Sequence, residues 1–251
     1  MKFIDQLKEK AKQNKKTIVL PETSDMRTIE AAGKVLAEGI ANIILVGDKE
    51  DIMSRAGDID LSGASFVDPK NYEKFDEYVD AFVEMRRKKG MTEARAKELL
   101  LTNPLYFGCM MVKQDDADGM VAGAINASAD VLRAALQTLK TAPGTRIVSA
   151  FFLVVVPDCQ YGANGTFVFA DAGLNQSPSA SELADIAEQS AKSFELLVDE
   201  TPVVAMLSHS TKGSAKHALV DKVVEATKIA REQNPDLKLD GEMQLDAAIV
   251  P

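Results

Sequence analysis

Short apolar runs alternate along the first half of the chain with segments in which apolar residues recur every three or four positions. The runs at 17–21, 42–47 and 119–124 have the length of buried strands. The periodic segments predict helices, at about 26–38, 72–88, 92–102 and 129–140. Strands that alternate with helices are typical of a mainly parallel sheet flanked by helices, so we expect an α/β fold.

The pattern changes after residue 144. The runs 146–156 and 165–173 are separated only by PDCQYGAN, whose Pro, Gly and Asn favour a turn, so we expect an antiparallel strand pair. Alternation then resumes, with a helix at 180–198, a strand at 202–207 and a helix at about 214–232. We interpret APG at 142–144 as a hinge and predict two α/β domains, residues 1–143 and 144–251.

The helix predicted at 180–198 has the clearest sequence signals of any element in the chain. Ser179 and, three residues later, Glu182 have the spacing of a capping box. Its apolar residues fall on one stripe: Leu183, Ile186, Ala187, Phe194, Leu197 and Val198. We predict that this helix has a structural role and packs its stripe into the core.

Composition and charge reduce the number of possible partners and cellular compartments. The net charge of −9 argues against a nucleic-acid partner, which would require a basic face. No apolar stretch approaches the roughly 20 residues of a membrane span, and the N-terminus lacks the apolar core of a signal peptide. The two cysteines form no CxxC motif, which favours a reducing compartment. We therefore expect a cytoplasmic protein with neither nucleic acid nor membrane as a partner.

The stretch GAINASADVLRAAL, at 123–136, joins an apolar strand to a helix through small polar residues. In open α/β sheets, ligands bind beyond the carboxyl ends of strands and at helix N-termini. Ser128 is the predicted N-cap. Arg133 opposes the helix dipole, and an anion held beside it would reverse that cost. The pattern alone leaves a solvated surface arginine as the alternative.

A second polar stretch, LSHSTKGSAKHAL at 207–219, also follows a strand and precedes a helix. It lacks the Walker A spacing of glycines and lysine. Its hydroxyls, with Lys212 and Lys216, could bind a phosphate. The alternative is a polar helix entrance with capping hydroxyls and solvated lysines.

The remaining candidate chemistry concerns cofactors. No GxGxxG motif follows the first strand, which disfavours a dinucleotide site. Three carboxylates could also bind a divalent cation: Asp240, Glu242 and Asp246. We nevertheless expect no metal. The residues alone indicate an α/β enzyme with an anionic small-molecule substrate in an interdomain cleft, and they leave the reaction open.

Five blocks of the chain resemble the bacterial phosphate acetyltransferase (phosphotransacetylase) family: TIVLPETSDMRTIEAA, YFGCMMVKQDDADGMVAGA, NGTFVFADAG, AMLSHSTKGSAK and LDGEMQLDAAIVP. The resemblance implies reversible transfer of an acetyl group between acetyl phosphate and coenzyme A (CoA), with inorganic phosphate as the other product. CoA is then a substrate, and no cofactor is needed. The resemblance also implies a homodimer and a two-domain fold similar to isocitrate and isopropylmalate dehydrogenases.

The resemblance also implies site residues. Arg133 matches the family's arginine at the anionic substrate, and Arg86, beside Arg87, matches a second functional arginine. Asn126 stands where the family often has His. Four residues are predicted to bind substrate: Ser128, Asn126, Ser210 and Thr211.

Family members continue beyond the last of these blocks. The resemblance therefore implies a C-terminally truncated chain, with both domains incomplete, little transferase activity by itself and no assignable general base. Three other functions remain open at this point. They are phosphate butyryltransferase activity, a dehydrogenase of similar fold, and a non-catalytic fragment that binds CoA or phosphate.

Overall fold

In the computed structural model, which describes residues 3–250, the chain forms two units, Met1–Lys140 and Thr141–Pro251. The strands of the first unit are β1 (Thr17–Leu20), β2 (Asn42–Val46), β3 (Ser65–Val67) and β4 (Gly119–Met120). Its helices are α1 (Phe3–Gln13), α2 (Met26–Glu38), α3 (Lys49–Ala56), α4 (Phe75–Arg86), α5 (Glu93–Thr102), α6 (Pro104–Lys113) and α7 (Ser128–Thr138). Two 3₁₀ turns, Pro69–Asn71 and Arg87–Lys89, flank α4.

The four strands of the first unit form one parallel sheet in the order β3-β2-β1-β4. The chain leaves β1 toward β2 on one side and later returns to β4 on the other. The order therefore reverses between β1 and β4, and in open α/β sheets this reversal marks the crevice where ligands bind. The predicted α/β class with a mainly parallel sheet is confirmed.

Helices cover both faces of this sheet. Alternate strand residues point to opposite faces, and they divide between two buried clusters: Val19, Ile44 and Val46 in one, Leu20, Ile43 and Leu45 in the other. Side chains of α4 to α7 complete the first cluster, and those of α2 and α3 complete the second. Burial on both faces explains why β1 and β2 are apolar at every position after their first residue.

Helix α6 was absent from the sequence prediction. Seven of its ten residues are buried, so its apolar run has no helical period to detect. Gly108 allows the close approach of α6 to the sheet, because a Cβ there would lie 2.7 Å from Sδ of Met120 and 3.3 Å from Cγ1 of Val19. This packing fixes the α6 side chains relative to β1 and β4.

The strand predicted at 119–124 is much shorter in the structure. Only Gly119 and Met120 pair as β4, and the amide of Val121 adds one further bond to the carbonyl of Val19. The following residues leave the sheet because their amides bind a carboxylate instead, as described below.

The second unit contains β5 (Phe151–Val155), β6 (Thr166–Ala170), α8 (Ala180–Val198), β7 (Val203–Leu207), α9 (Ala218–Gln233), β8 (Lys238–Met243) and α10 (Leu245–Ile249). The predicted antiparallel pair is confirmed as β5 and β6, while β7 and β8 pair in parallel. The capping box of Ser179 and Glu182 is also confirmed. Within residues 3–250, none of the helices combines the length and apolarity needed to cross a membrane.

Candidate active site

Glu22 lies just beyond the carboxyl end of β1, at the reversal point of the sheet, and its carboxylate is buried. It accepts five hydrogen bonds from the loop that links β4 to α7. The donors are the backbone amides of Gly123 (2.6 Å), Ala124 (2.6 Å), Ile125 (3.1 Å) and Asn126 (2.8 Å) and the Nδ2 of Asn126 (2.7 Å). Four consecutive amides directed at one anion form a nest. We call residues 123–126 the nest loop.

The environment of Glu22 keeps it ionised. Burial alone raises the pKa of the Glu22 carboxyl, but hydrogen bonds from Asn126, Ala124 and Ile125 outweigh that effect and lower it to about 2. The protein's own carboxylate therefore occupies the nest at neutral pH.

The predicted site residues of this loop have different surroundings. Asn126 donates both its backbone amide and its Nδ2 to Glu22. The prediction of Ser128 as N-cap is wrong. Ala127 holds the cap position in an extended conformation without a side-chain bond, and Ser128 is the first residue of α7, with its side chain exposed.

Arg133 lies on the exposed side of α7. Its Nη1 donates to Oδ1 of Asp130 at 2.6 Å, and its side chain is 58% exposed. An exposed ion pair of this kind contributes only about 0.3–0.5 kcal/mol. Arg133 therefore remains accessible to an anionic ligand.

Arg86 is the last residue of α4, and its side chain contains a buried donor without a partner among the described residues. Among the side chains of residues 3–250, its Nε is the one buried nitrogen or oxygen that lacks a hydrogen-bond partner. Such a group requires an explanation, because an unpaired buried donor destabilises the fold by about 1–3 kcal/mol. The neighbouring Arg87 is exposed and pairs with Glu84 one turn earlier. The structure thus distinguishes the two adjacent arginines.

Tyr106, on α6, contacts residues of both α4 and α7, the helices that carry the two predicted arginines. Burial raises the pKa of its phenol, while the positive charges of Arg133 and Arg86 both act to lower it. Its hydroxyl donates to Oε1 of Gln137 at 3.2 Å, and its ring lies edge-on to Phe82, with 5.8 Å between centroids.

Helix periodicity explains this convergence. Phe82 precedes Arg86 by one turn of α4, and Gln137 follows Arg133 by one turn of α7. Arg86 and Arg133 thus each lie one helical turn from a residue that contacts Tyr106. We call Arg86, Tyr106, Arg133 and Gln137 the arginine cluster. Sequence reasoning missed Tyr106 and Gln137, although Gln137 lies four residues from Arg133 on the same helix face.

The polar stretch of the second unit is a loop between β7 and α9, and its donors are largely satisfied within the unit. Ser210 is fully buried, and its hydroxyl donates to Oε1 of Glu242 at 3.1 Å. The amide of Gly213 also donates to Oε1 of Glu242, at 2.7 Å. The hydroxyl oxygen of Thr211 accepts from the amide of Gln244 at 2.9 Å. Ser210 and Thr211 thus belong to a different unit from the arginine cluster and bind partners of their own.

Two acidic residues of β8, Asp240 and Glu242, accept hydrogen bonds from this loop. The amide of Gly213 contributes most to lowering the pKa of Glu242. Asp240 accepts from Lys212 at 2.5 Å and also pairs with Arg231. Across residues 3–250, no group of three or more His, Cys, Asp or Glu side chains could hold a metal ion.

Acid should weaken the first unit through Glu22. Its pKa is lower in the folded protein than the ordinary value of 4.5, so its stabilising effect is complete above that value and is lost as the pH falls toward about 2. We expect the free energy of unfolding to fall by on the order of 2–3 kcal/mol from this group. Urea unfolding at a series of pH values would measure the loss. The difference between wild type and Glu22→Gln isolates the contribution of Glu22, and identical pH dependence in the two proteins would contradict the prediction.

The parallel sheet, with helices on both of its faces, defines an α/β protein. The chain belongs to the family described as phosphate acetyl/butaryl transferase, because the model of that family matches residues 2–251.

Individual relatives agree with this membership. The chain is 54% identical, over 251 residues, to the phosphate acetyltransferase of Acetivibrio thermocellus, and the match covers 100% of this chain and 75% of the relative. Among solved structures, a phosphotransacetylase from Streptococcus pyogenes has a TM-score of 0.89 with 42% identity, and the match covers 99% of this chain and 74% of that one. The EutD phosphotransacetylase from Staphylococcus aureus has a TM-score of 0.88 with 40% identity and the same coverage.

Proposed function

We propose that the protein transfers an acetyl group reversibly between acetyl phosphate and CoA. The observation that carries this proposal is the buried, unpartnered Nε of Arg86. Arginine binds phosphate through parallel N–H donors, so a phosphoryl group would satisfy the unpaired donor. The high identity to relatives named phosphate acetyltransferase favours acetyl over butyryl transfer.

The reaction proposed for this site is an acyl transfer. The CoA thiol loses its proton to a base, and the resulting thiolate attacks the carbonyl carbon of acetyl phosphate. The bond between that carbon and the bridging oxygen then breaks, and the electron pair leaves with inorganic phosphate. Arg133 and Arg86 are the proposed catalytic residues, which bind the phosphoryl oxygens and stabilise the charge that develops there. The scheme requires neither a metal nor a redox cofactor.

Four further residues have proposed binding roles. The exposed Ser128, at the first turn of α7, offers a hydroxyl on the helix that carries Arg133. Asn126 keeps its side-chain carbonyl oxygen and one Nδ2–H for a ligand, since its backbone amide and its other Nδ2–H bind Glu22. Ser210 would have to exchange its bond to Glu242 for a ligand bond, whereas the hydroxyl of Thr211 accepts from Gln244 and keeps its proton for a ligand. We therefore give them a supporting role in the second unit.

The proposal also covers the cellular compartment, oligomeric state, partners and fold of the enzyme. We infer a cytoplasmic homodimer with acetyl phosphate, CoA and inorganic phosphate as its small-molecule partners and without a nucleic-acid partner. The acidic net charge of −9 supports the last point. We also propose that its fold is of the kind found in isocitrate and isopropylmalate dehydrogenases. The parallel sheet flanked by helices is consistent with that relation.

Acyl transfer can be tested directly. The protein is mixed with CoA and either acetyl phosphate or butyryl phosphate, and thioester formation and phosphate release are followed together. We expect equal amounts of acetyl-CoA and phosphate, and slower reaction with butyryl phosphate. Faster turnover of butyryl phosphate would assign the alternative acyl specificity. Calorimetric binding of CoA without thioester formation would contradict the proposal and indicate a binding protein.

A further inference from the structure

Glu22 is a buried carboxylate that has no role in the proposed acyl transfer. It is 3% exposed and lies at the reversal point between β1 and β4, where a ligand would be expected in this fold class. Its two oxygens accept all five donors of the nest loop that were described above. A residue in this position controls the course of the chain between β4 and α7.

The segment that carries Glu22 is itself firmly held. The hydroxyl of Thr23 donates to the carbonyl of Val46 at 2.6 Å, and Nη1 of Arg55 donates to the carbonyl of Thr23 at 2.6 Å. Strand β2 and helix α3 thereby fix the backbone beside Glu22. The nest loop is bound to an anchored group, as a preorganised site requires.

The loop has a second contact with the same region. Nη2 of Arg27, on α2, donates to the carbonyl of Ala124 at 2.5 Å, and the same guanidinium pairs with Asp25. The nest loop is thus held through its amides by Glu22 and through one carbonyl by Arg27. Only one residue, Ala127, separates the loop from α7, so the anchoring extends to the start of that helix.

We propose that Glu22 is a positioning residue, which sets the nest loop and thereby the start of α7 so that Arg133 meets the anionic substrate correctly. This inference deepens the proposed function and rests on it, because the effect is exerted on substrate binding at Arg133. Small displacements of a binding group can change rates by about a hundredfold, so such a residue has consequences beyond fold stability.

Charge is the property that the nest requires. A carboxylate can accept from all five donors, whereas the side-chain amide introduced by Glu22→Gln would present its own N–H donors to them. In Glu22→Ala the donors are left facing an empty space, which a small carboxylate from solution could fill. The low pKa of Glu22 agrees with strong preference of the nest for an anion.

The test combines Glu22→Ala with formate, the smallest carboxylate. Two quantities are measured with and without formate, with chloride at equal ionic strength as the reference: the melting temperature and the calorimetric Kd for inorganic phosphate. We expect Glu22→Ala to weaken phosphate binding by about tenfold or more. Formate should raise the melting temperature of this variant more than that of wild type and should restore part of its phosphate affinity.

Two control variants separate positioning from general destabilisation. Glu30→Ala removes an exposed carboxylate from the same unit, and Ile52→Ala creates a cavity in its core. We expect Ile52→Ala to melt earlier with no specific response to formate, and both controls to keep the wild-type Kd for phosphate. Wild-type phosphate affinity in folded Glu22→Ala, or a formate response equal to that of Ile52→Ala, would overturn the proposal.

Another substitution at Glu22 covers the case in which Glu22→Ala does not fold. Glu22→Asp keeps the charge but withdraws the carboxylate by one methylene, so we expect a folded protein with weaker phosphate binding. An unchanged Kd in Glu22→Asp would then overturn the proposal. Because these readouts require no turnover, they remain distinct from the acyl-transfer assay: wild type that binds phosphate but forms no thioester contradicts the proposed function alone.

Discussion

In the full-length protein, Arg133→Ala should lower kcat/KM for acetyl phosphate by about a hundredfold or more, a loss of about 3 kcal/mol in transition-state stabilisation. The reason lies in the exposed setting of Arg133, whose partner in the chain is an i,i+3 contact with Asp130 of little energetic weight. The guanidinium can therefore exchange this partner for the phosphoryl oxygens. Steady-state kinetics with acetyl phosphate as the varied substrate measure the effect.

Two further variants sharpen the expectation for Arg133. Arg133→Lys keeps a positive charge but lacks the fork of parallel donors, so we expect it to remain impaired by at least about tenfold. Lys113→Ala removes an exposed positive charge from the end of α6 in the same unit and should keep wild-type kinetics within about twofold. Wild-type kcat/KM in Arg133→Ala would remove Arg133 from the site.

Arg86→Ala should reduce kcat/KM by a similar factor, about a hundredfold. Its buried Nε has no partner among the described residues, so its pairing with substrate would satisfy a donor that otherwise destabilises the fold. For the same reason the variant should not unfold more easily than wild type through loss of that donor. Kinetics and urea unfolding of the same preparation give both quantities.

The adjacent arginine supplies a matched control for Arg86. Arg87 has the same charge and lies next in the chain, but it is exposed and pairs with Glu84. We expect Arg87→Ala to keep kcat/KM within about twofold, since an exposed ion pair contributes little. Equal losses in both variants would show that charge in this region acts at long range, and would exclude a specific contact by Arg86.

Much of the fold follows from periodicity alone, and the exceptions have physical causes. Strands β1 and β2 are apolar because both faces of the sheet are covered, and the 180–198 helix is marked in the sequence by its capping box. Helix α6 lacks a polar face and thus lacks a detectable period. Strand β4 is shorter than its apolar run because the nest loop binds Glu22 in place of a neighbouring strand.

The site was less accessible to sequence reasoning. Arg133 was a candidate from local pattern and Arg86 came from resemblance, and local pattern could not connect them, because Tyr106, which contacts both of their helices, lies on a third helix. Glu22 carries no motif of its own. Its position directly after β1 was the available signal, since side chains at this edge of a parallel sheet face the ligand crevice.

The serine-rich loop before α9 shows the opposite case. Its hydroxyls and lysines left a phosphate site open as one interpretation, and in the structure Ser210 binds Glu242 and Lys212 binds Asp240 within the same unit. A sequence of donors predicts that acceptors are needed, but it does not reveal whether those acceptors are substrate oxygens or the protein's own carboxylates.

The two cysteines provide an internal probe of how each unit unfolds. Cys109 is fully buried in the core of the first unit, where burial raises the pKa of its thiol, whereas Cys159 is partly exposed between β5 and β6 of the second. A thiolate-specific reagent should therefore label Cys159 rapidly in the native protein and reach Cys109 only when the first unit opens. The labelling rates of these two thiols report separately on the opening of the two halves of the chain, without an added dye.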